Sequence, residues 1–195
     1  MTDLVLTPLT EIRELRRIYN ERMRQDFPSD ELKPFFMIRR ALRRGVYACY
    51  GLRERDGDAL LGYAFFFRER DGRRFLFDYF AVDRARRSEG LGTAFLTLLR
   101  EELRNADCVV GEVEDPDVSE DAAERATRQR RLDFYLRNGC VETGIRSRLF
   151  GVDYRVLELP LENPHTQAEV REAYEALYRQ MLPARLYEGN VTLLL

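Results

Sequence analysis

The chain has 195 residues, of which 32 are basic and 34 acidic, so its formal net charge is −2. This near balance, with acidic residues mixed through the arginine-rich segments, argues against a protein that binds mainly nucleic acid or an anionic membrane. Lys33 is the single lysine and His165 the single histidine. One histidine, expected in a surface loop, excludes a multi-histidine metal site, and we expect no metal cofactor.

The cysteines and the apolar stretches of the sequence indicate the cellular compartment of the protein. Cys49, Cys108 and Cys140 are far apart in sequence and have apolar neighbours, so we expect core residues rather than a zinc site or a disulfide framework. Free thiols are typical of a reducing cytoplasm. The chain starts without a signal-peptide pattern, and its longest apolar stretch is well short of the ~20 residues that span a bilayer. We therefore expect one cytoplasmic domain, 1–195, with no membrane partner.

The amino-terminal quarter reads as a strand and two helices. Residues 4–6 are apolar and can start a sheet. Apolar residues at helical spacing then predict two helices within 11–45. The predicted boundary residues are Thr10 as the first cap, Ser29 or Asp30 as the second cap, and Gly45 at the end.

The rest of the chain predicts an α/β fold with a mixed sheet and helices on its faces. Three strands joined by glycine-containing turns form an antiparallel meander. A helix over 91–105 then crosses over to a strand parallel to the third. The last strand either completes this sheet or pairs with a second subunit, which leaves a homodimer open. The predicted strands are 46–52, 59–67, 74–82, 108–114, 140–150, 152–159 and 191–195, and the later helices are 120–137 and 168–180.

The segment 87–92, RSEGLG, carries the clearest chemical signal. It joins a strand to an amphipathic helix, and the first turn of a helix presents unpaired backbone N–H groups and a partial positive charge to an anion. Glycines allow close approach of the backbone, and Arg87 can add a charge-assisted hydrogen bond. A third glycine in dinucleotide spacing is missing, as is a Gly-Lys-Ser/Thr sequence, so the segment is neither a dinucleotide fingerprint nor a Walker loop.

Two motifs resemble the GNAT superfamily of acyl-CoA-dependent N-acyltransferases. The first is Arg/Gln-x-x-Gly-x-Gly/Ala, here 87–92 after a strand that ends at Val82. The second is Phe-Tyr-x-x-x-Gly-Phe, here 134–140 with Cys140 in the last position. The order of elements over 46–159 matches the family core, with 11–45 on the acceptor side and 166–195 as an addition. The resemblance implies a largely antiparallel sheet with one splayed parallel strand pair, flanked by helices.

The resemblance also implies acetyl-CoA as co-substrate and a role for each matching residue. Tyr135 would protonate the leaving thiolate, for which an ordinary tyrosine pKa of about 10 is suitable. The strand edge of Phe80, Ala81 and Val82 would hydrogen-bond the pantetheine arm. Backbone amides would bind the pyrophosphate, and they belong to Arg87, Ser88, Glu89, Gly90, Leu91, Gly92 and Thr93.

Arg128 and Arg131 depart from the family pattern, which often has Asn and Ala at these positions. They share one helix face with Tyr135, because the three residues follow i, i+3, i+7 spacing. The two arginines either bind the CoA phosphates or are solvated side chains of an arginine-rich helix.

A general base is needed because an amine must be neutral before it attacks a thioester. The position of the family's glutamate corresponds to Asp78 here, and strand alternation predicts that Asp78 shares a face with Leu76, Phe80 and Val82. A carboxylate within such an apolar strand is costly unless solvated or paired. Glu112 and Glu114 on the next strand are alternatives, and a salt bridge of Asp78 to an arginine is the competing explanation.

The acceptor side contains aromatic and acidic residues, which favours a cationic amine such as a polyamine, an aminoglycoside, an amino-acid derivative or a peptide N-terminus. The candidate lining residues are Phe27, Asp30, Glu31, Tyr79, Phe80, Glu112 and Glu114. The predicted function is acetyl transfer from acetyl-CoA to a small primary amine by direct attack in a ternary complex. A protein or peptide N-acetyltransferase and a non-catalytic acyl-CoA sensor are the alternatives.

Overall fold

A computed structural model describes residues 3–29 and 31–194. The predictions that involve Asp30 and Leu195 lie outside these residues. One eight-stranded sheet has the strand order β1-β2-β3-β4-β5-β7-β6-β8. Its strands are β1 Leu4–Pro8, β2 Tyr47–Glu54, β3 Leu60–Arg68, β4 Arg74–Val82, β5 Cys108–Glu114, β6 Val141–Leu149, β7 Val152–Glu158 and β8 Val191–Leu194.

Helices flank the sheet on both sides. They are α1 Ile12–Ile18, α2 Arg24–Asp26, α3 Phe35–Arg43, α4 Leu91–Glu102, α5 Ala122–Arg137, α6 Gln167–Met181 and α7 Ala184–Asn190, and a π-helical turn, Tyr19–Met23, joins α1 to α2. Within the described residues, no helix is long and apolar enough to cross a membrane.

The predicted mixed sheet with one parallel pair is confirmed. Strand β4 runs parallel to β5 after the α4 crossover, and every other recorded pairing is antiparallel. The parallel register covers only residues 74–76 against 108–110. Beyond these three pairs the two strands separate, as expected from the family resemblance.

Buried residues form one cluster on each side of the sheet. The side covered by α1, α3 and α6 includes Leu15, Ile38 and Tyr174, and we call it the α6 side. The side covered by α4 and α5 includes Phe95 and Leu132, and we call it the α4 side. All three cysteines are free and buried, as predicted.

Strand β4 contains a bulge that overturns its predicted alternation. Phe77 opposes Phe66 and Tyr79 opposes Phe65, so Asp78 is the extra residue. Asp78 and Tyr79 therefore both contact the α6 side, through hydrogen bonds and packing respectively. Phe80 packs on the α4 side, as does Val82. The prediction that Asp78 shares a face with these two residues was wrong, because the inserted residue reverses the alternation after it.

The helix starts differ from the predicted caps. Helix α1 has Glu11, rather than Thr10, at its N-cap, and that cap makes no side-chain hydrogen bond. Helix α3 starts after Pro34 rather than at Ser29, because proline disfavours helical backbone in the residue before it. Helix α7 was not predicted, and β8 pairs with β6 of the same chain.

Candidate functional site

The loop before α4 has the geometry of an anion site. Gly90 is left-handed, with φ +80°, and forms the N-cap of the helix. The first hydrogen bond of the helix joins Ala94 N to Gly90 O at 3.0 Å, so the amides of residues 91–93 have no helical acceptor. Arg87 is exposed and forms no ion pair with any residue in the described part of the chain. Free amides and a free guanidinium at one helix start suit a phosphate group.

Gly92 holds this helix start against α5. A Cβ built on Gly92 would lie 2.8 Å from Phe134 Cζ, closer than any ordinary carbon contact. The second glycine of the 87–92 segment therefore serves packing between two helices as well as access to the amides.

A cavity opens where β4 and β5 separate. Its lining residues come from β4, β5, α5, β7 and the segments directly after α5 and β7, and they are Phe77, Gly111, Glu112, Val113, Tyr135, Cys140, Leu157, Glu158 and Leu159. The ring of Tyr135 lies 6.2 Å from that of Phe80, measured between centroids. Burial raises the pKa of Tyr135 above its ordinary value, so the hydroxyl is protonated at neutral pH and can donate a proton.

Asp78 lies on the α6 side of this opening and is paired rather than solvated. Its side chain is 6% exposed and forms an ion pair with Lys33. The Tyr47 hydroxyl donates a hydrogen bond to its second oxygen. The partner is thus the single lysine, and not one of the many arginines that the sequence offered.

Glu112 is the second carboxylate of the opening, and we call Asp78 and Glu112 the carboxylate pair. The hydroxyls of Tyr174 and Tyr178 both donate to Glu112 Oε1, the latter at 2.6 Å. Burial raises the pKa of Glu112 to about 7, partly offset by these hydrogen bonds and by Lys33, while the Asp78 charge raises it further. A carboxylate with this pKa is a suitable general base at neutral pH.

Glu114 and the two α5 arginines bind one another. Arg128 Nη2 lies 3.3 Å from Glu114 and 2.7 Å from Glu124, and Arg131 Nη1 lies 3.1 Å from Glu114. Arg128 also donates to the carbonyl of Asp115 at 3.1 Å. Arg128 is therefore committed to the end of β5, whereas Arg131 remains half exposed. These contacts favour a structural role for Arg128 and leave Glu114 neutralised.

The candidate acceptor residues divide between the two sides of the sheet. The edge of Phe27 meets the ring of Tyr79, with centroids 4.9 Å apart. The Tyr79 hydroxyl accepts a hydrogen bond from Lys33 N at 2.8 Å and donates one to Glu31 O at 3.1 Å. Phe80 instead contacts the aromatic rings of the α4 side. The structure thus brings Phe27, Glu31 and Tyr79 together and separates Phe80 from them.

Comparison with known proteins identifies the family. The sequence pattern of the acetyltransferase (GNAT) family matches residues 12–134. The chain belongs to the GNAT acetyltransferase family. A comparison with curated proteins gives no match.

Solved structures of GNAT proteins share the fold. A GNAT-family protein of Bacteroides thetaiotaomicron is 20% identical, with a TM-score of 0.67 over 91% of this chain and 95% of that one. A second, from Desulfovibrio desulfuricans, is 16% identical, with a TM-score of 0.57 over 82% and 99%. Vibrio cholerae spermidine N-acetyltransferase, in complex with CoA and spermine, is 13% identical, with a TM-score of 0.58 over 80% and 95%.

Several polar residues of this GNAT acetyltransferase have no sequence signal. Tyr47, Tyr174 and Tyr178 reach the carboxylate pair from strands and helices far away in sequence. They appear in the sequence as ordinary apolar-face aromatics. Lys33 was visible only as the single lysine of the chain.

His165, which the sequence predicts to lie in a surface loop, has a side chain that is only 31% exposed. Its Nδ1 lies 2.6 Å from Glu158 Oε1, and its backbone N donates to Oε2 at 3.0 Å. Glu158 is buried, and the Cys108 thiol lies close by. Burial, followed by the Glu158 charge, raises the pKa of Cys108 to about 12. The two hydrogen bonds between Glu158 and His165 fasten the loop before α6 to the sheet.

Proposed function

We propose that this GNAT protein is a single-domain N-acetyltransferase that transfers an acetyl group from acetyl-CoA to a primary amine of a small cationic molecule. The observation that carries the proposal is the opening between β4 and β5. Its cavity is lined by Tyr135, which packs on the α4 side, and by Glu112, whose carboxylate has a pKa of about 7 and accepts hydrogen bonds from the tyrosines of the α6 side. Acyl transfer to an amine needs one group to release a proton and one to accept a proton.

The cofactor side of the site is the α4 side. Acetyl-CoA supplies an activated acyl thioester, and its pyrophosphate fits the amides of 87–93 together with the free guanidinium of Arg87. The edge of β4 beyond residue 76 has no β5 partner, so Phe80, Ala81 and Val82 are available to hydrogen-bond the pantetheine arm. Arg131 pairs with Glu114 but is half exposed, so of the two candidate arginines, Arg128 and Arg131, it is the one that can also reach a phosphate.

The carboxylate pair acts on the acceptor from the α6 side. Asp78 holds the cationic amine, and Glu112 accepts the proton that the amine must lose before attack, because a pKa of about 7 suits a general base at neutral pH. The neutral nitrogen attacks the thioester carbonyl in a ternary complex. Tyr135 then protonates the departing thiolate. Glu114 takes no part, because two arginines already neutralise it.

A small polycationic amine is the acceptor class that the charges favour. The carboxylate pair would attract an ammonium group by its negative charge. Its neighbours Tyr47, Tyr174 and Tyr178 add aromatic rings, whose faces attract cations. The solved structure of spermidine N-acetyltransferase, which shares the fold, was determined with spermine.

Two measurements test the proposal in sequence. Acetyl-CoA at millimolar concentration should raise the melting temperature, whereas adenine alone, which lacks the phosphates and the thioester, should not. Thiol release from acetyl-CoA should then depend on an added polyamine. A melting-temperature rise without thiol release for any amine or peptide would make the protein an acyl-CoA sensor, and release with peptides alone would make it a peptide acetyltransferase.

A further inference from the structure

The single lysine of the chain lies on the candidate acceptor carboxylate. Lys33 Nζ forms an ion pair with Asp78, and the lysine side chain is one-third exposed while the carboxylate is nearly buried. The ammonium also lies 5.4 Å from the centroid of the Tyr79 ring. Lys33 thus occupies the surroundings that the proposed function assigns to the amine of a substrate.

The backbone fixes this lysine in place. Lys33 N donates to the Tyr79 hydroxyl at 2.8 Å, and that hydroxyl donates to Glu31 O at 3.1 Å. The segment 31–33 is therefore fastened to β4 through Tyr79, the residue next to Asp78. Pro34 follows directly and fixes the backbone at the start of α3. The fold therefore holds the backbone of Lys33 beside Asp78, within reach of its side chain.

We propose that Lys33 is a self-acetylation site: the chain uses its own lysine as an acceptor when no better amine occupies Asp78. This inference rests on the proposed function, since it uses the same acetyl donor and the same carboxylate pair. Lys33 is the only residue of the chain whose side chain carries a primary amine.

The reaction balances without a further reagent. The Lys33 ammonium gives one proton to the carboxylate pair, and its neutral nitrogen attacks the carbonyl carbon of acetyl-CoA. A C–N bond forms, the C–S bond breaks, and the CoA thiolate takes a proton from Tyr135. The nitrogen loses a second proton when the C–S bond breaks, so that one of its two protons replaces the proton that Tyr135 gave and the other is released to solvent. The products are Nε-acetyl-Lys33, free CoA and one proton.

Acetylation changes the acceptor site. The amide carries no charge, so the ion pair with Asp78 is lost and the carboxylate becomes free for an external cation. An unmodified chain must instead displace its own ammonium whenever a substrate amine binds. Added polyamine should therefore slow the modification, because it competes for Asp78.

Intact mass and peptide mapping of the full chain after incubation with acetyl-CoA test the proposal. We expect one added acetyl group on Lys33, formed at a rate independent of protein concentration. K33R should show none on that peptide, because a guanidinium remains protonated while keeping its charge on Asp78. Y135F should slow the modification roughly a hundredfold. Equal rates in Y135F would mean spontaneous chemical acetylation and would overturn the proposal.

The two proposals fail in different ways. Thiol release with a polyamine but no acetyl group on Lys33 overturns self-acetylation alone. Absence of any melting-temperature rise with acetyl-CoA overturns both. K33R provides the check on folding, since it should show the same rise with acetyl-CoA as the natural chain.

Discussion

The Phe134 ring occupies the place that a side chain on Gly92 would need, with Phe134 Cζ 2.8 Å from an ideal Cβ. Helix α4 therefore begins in direct contact with α5. This contact between Gly92 and Phe134 links two parts of the proposed site. Gly92 belongs to the amides 91–93 proposed to bind phosphate, and Phe134 directly precedes the proposed proton donor, Tyr135.

Substitution G92A should lower both stability and cofactor affinity. The added methyl group overlaps the Phe134 ring, and overpacking of this kind costs typically about 1–3 kcal/mol. Urea unfolding and acetyl-CoA titration measure the two effects. Gly189 provides the matched control: its Cβ would meet nothing within 4 Å, so G189A should keep full affinity. Natural stability and affinity in G92A would contradict the packing role.

Substitution R87Q should weaken CoA binding at least about tenfold, since a charge-assisted hydrogen bond contributes roughly 1.5–3 kcal/mol. The loss should shrink at high salt, because exposed charges are screened. Calorimetric titration at two salt concentrations measures it. Arg70 is also exposed and lies at the turn before β4, so R70Q serves as the control and should bind normally.

Substitution Y135F should reduce turnover roughly a hundredfold while the melting-temperature rise with acetyl-CoA persists, because general acid catalysis typically contributes about 10²–10⁴-fold. A thiol-release assay with polyamine measures the rate. Tyr50 packs against Phe66, with ring centroids 6.0 Å apart, on the same side of the sheet. Y50F should leave turnover intact, and an equal loss in both variants would remove Tyr135 from the mechanism.

Substitution E112Q should remove the pH dependence of turnover near neutrality. The natural chain needs the carboxylate form, so its rate should rise as pH increases through about 7, the pKa of Glu112. E112Q should be slow throughout, whereas E114Q, which alters a neutralised carboxylate, should keep the rise. If turnover of E112Q rose with pH in the same way as turnover of the natural chain, the general base would be another residue.

Stability should depend on pH through the same group. The pKa of Glu112 is raised in the folded state from an ordinary 4.5 to about 7, so the folded chain holds a proton that the unfolded chain has released. Glu112 therefore lowers stability progressively as pH rises from about 4.5 to 7. The glutamine of E112Q cannot ionise, so its melting temperature should exceed that of the natural chain at pH 8. At pH 5 the difference between the two melting temperatures should be much smaller.

Sequence patterns located the elements around the site accurately. Strands β4 and β5 begin and end where apolar periodicity and the turn residues placed them. The crossover rule then gave the parallel pair, and the glycine segment gave the start of α4. These features depend on local composition, so a single sequence contains them.

The bulge and the partners of the carboxylates were beyond sequence reasoning. The segment 75–80, FLFDYF, is apolar on both faces, so its pattern cannot show where alternation reverses. Tyr174 and Tyr178 lie more than 60 positions from Glu112. Their hydroxyls meet the carboxylate only because α6 packs across the sheet. The pairing of Lys33 with Asp78 likewise depends on tertiary structure.

The extra residue in β4 gives the α6 side one more side chain than regular alternation of the strand would. A substitution at Asp78 changes the chemistry of one side chain and leaves its neighbours where they are. Deletion of Asp78 would leave Phe77, Tyr79 and Phe80 in regular alternation, with Phe80 and Val82 still on the α4 side. The strand surface proposed for the cofactor therefore does not depend on the bulge, whereas the carboxylate proposed for the acceptor exists only because of it.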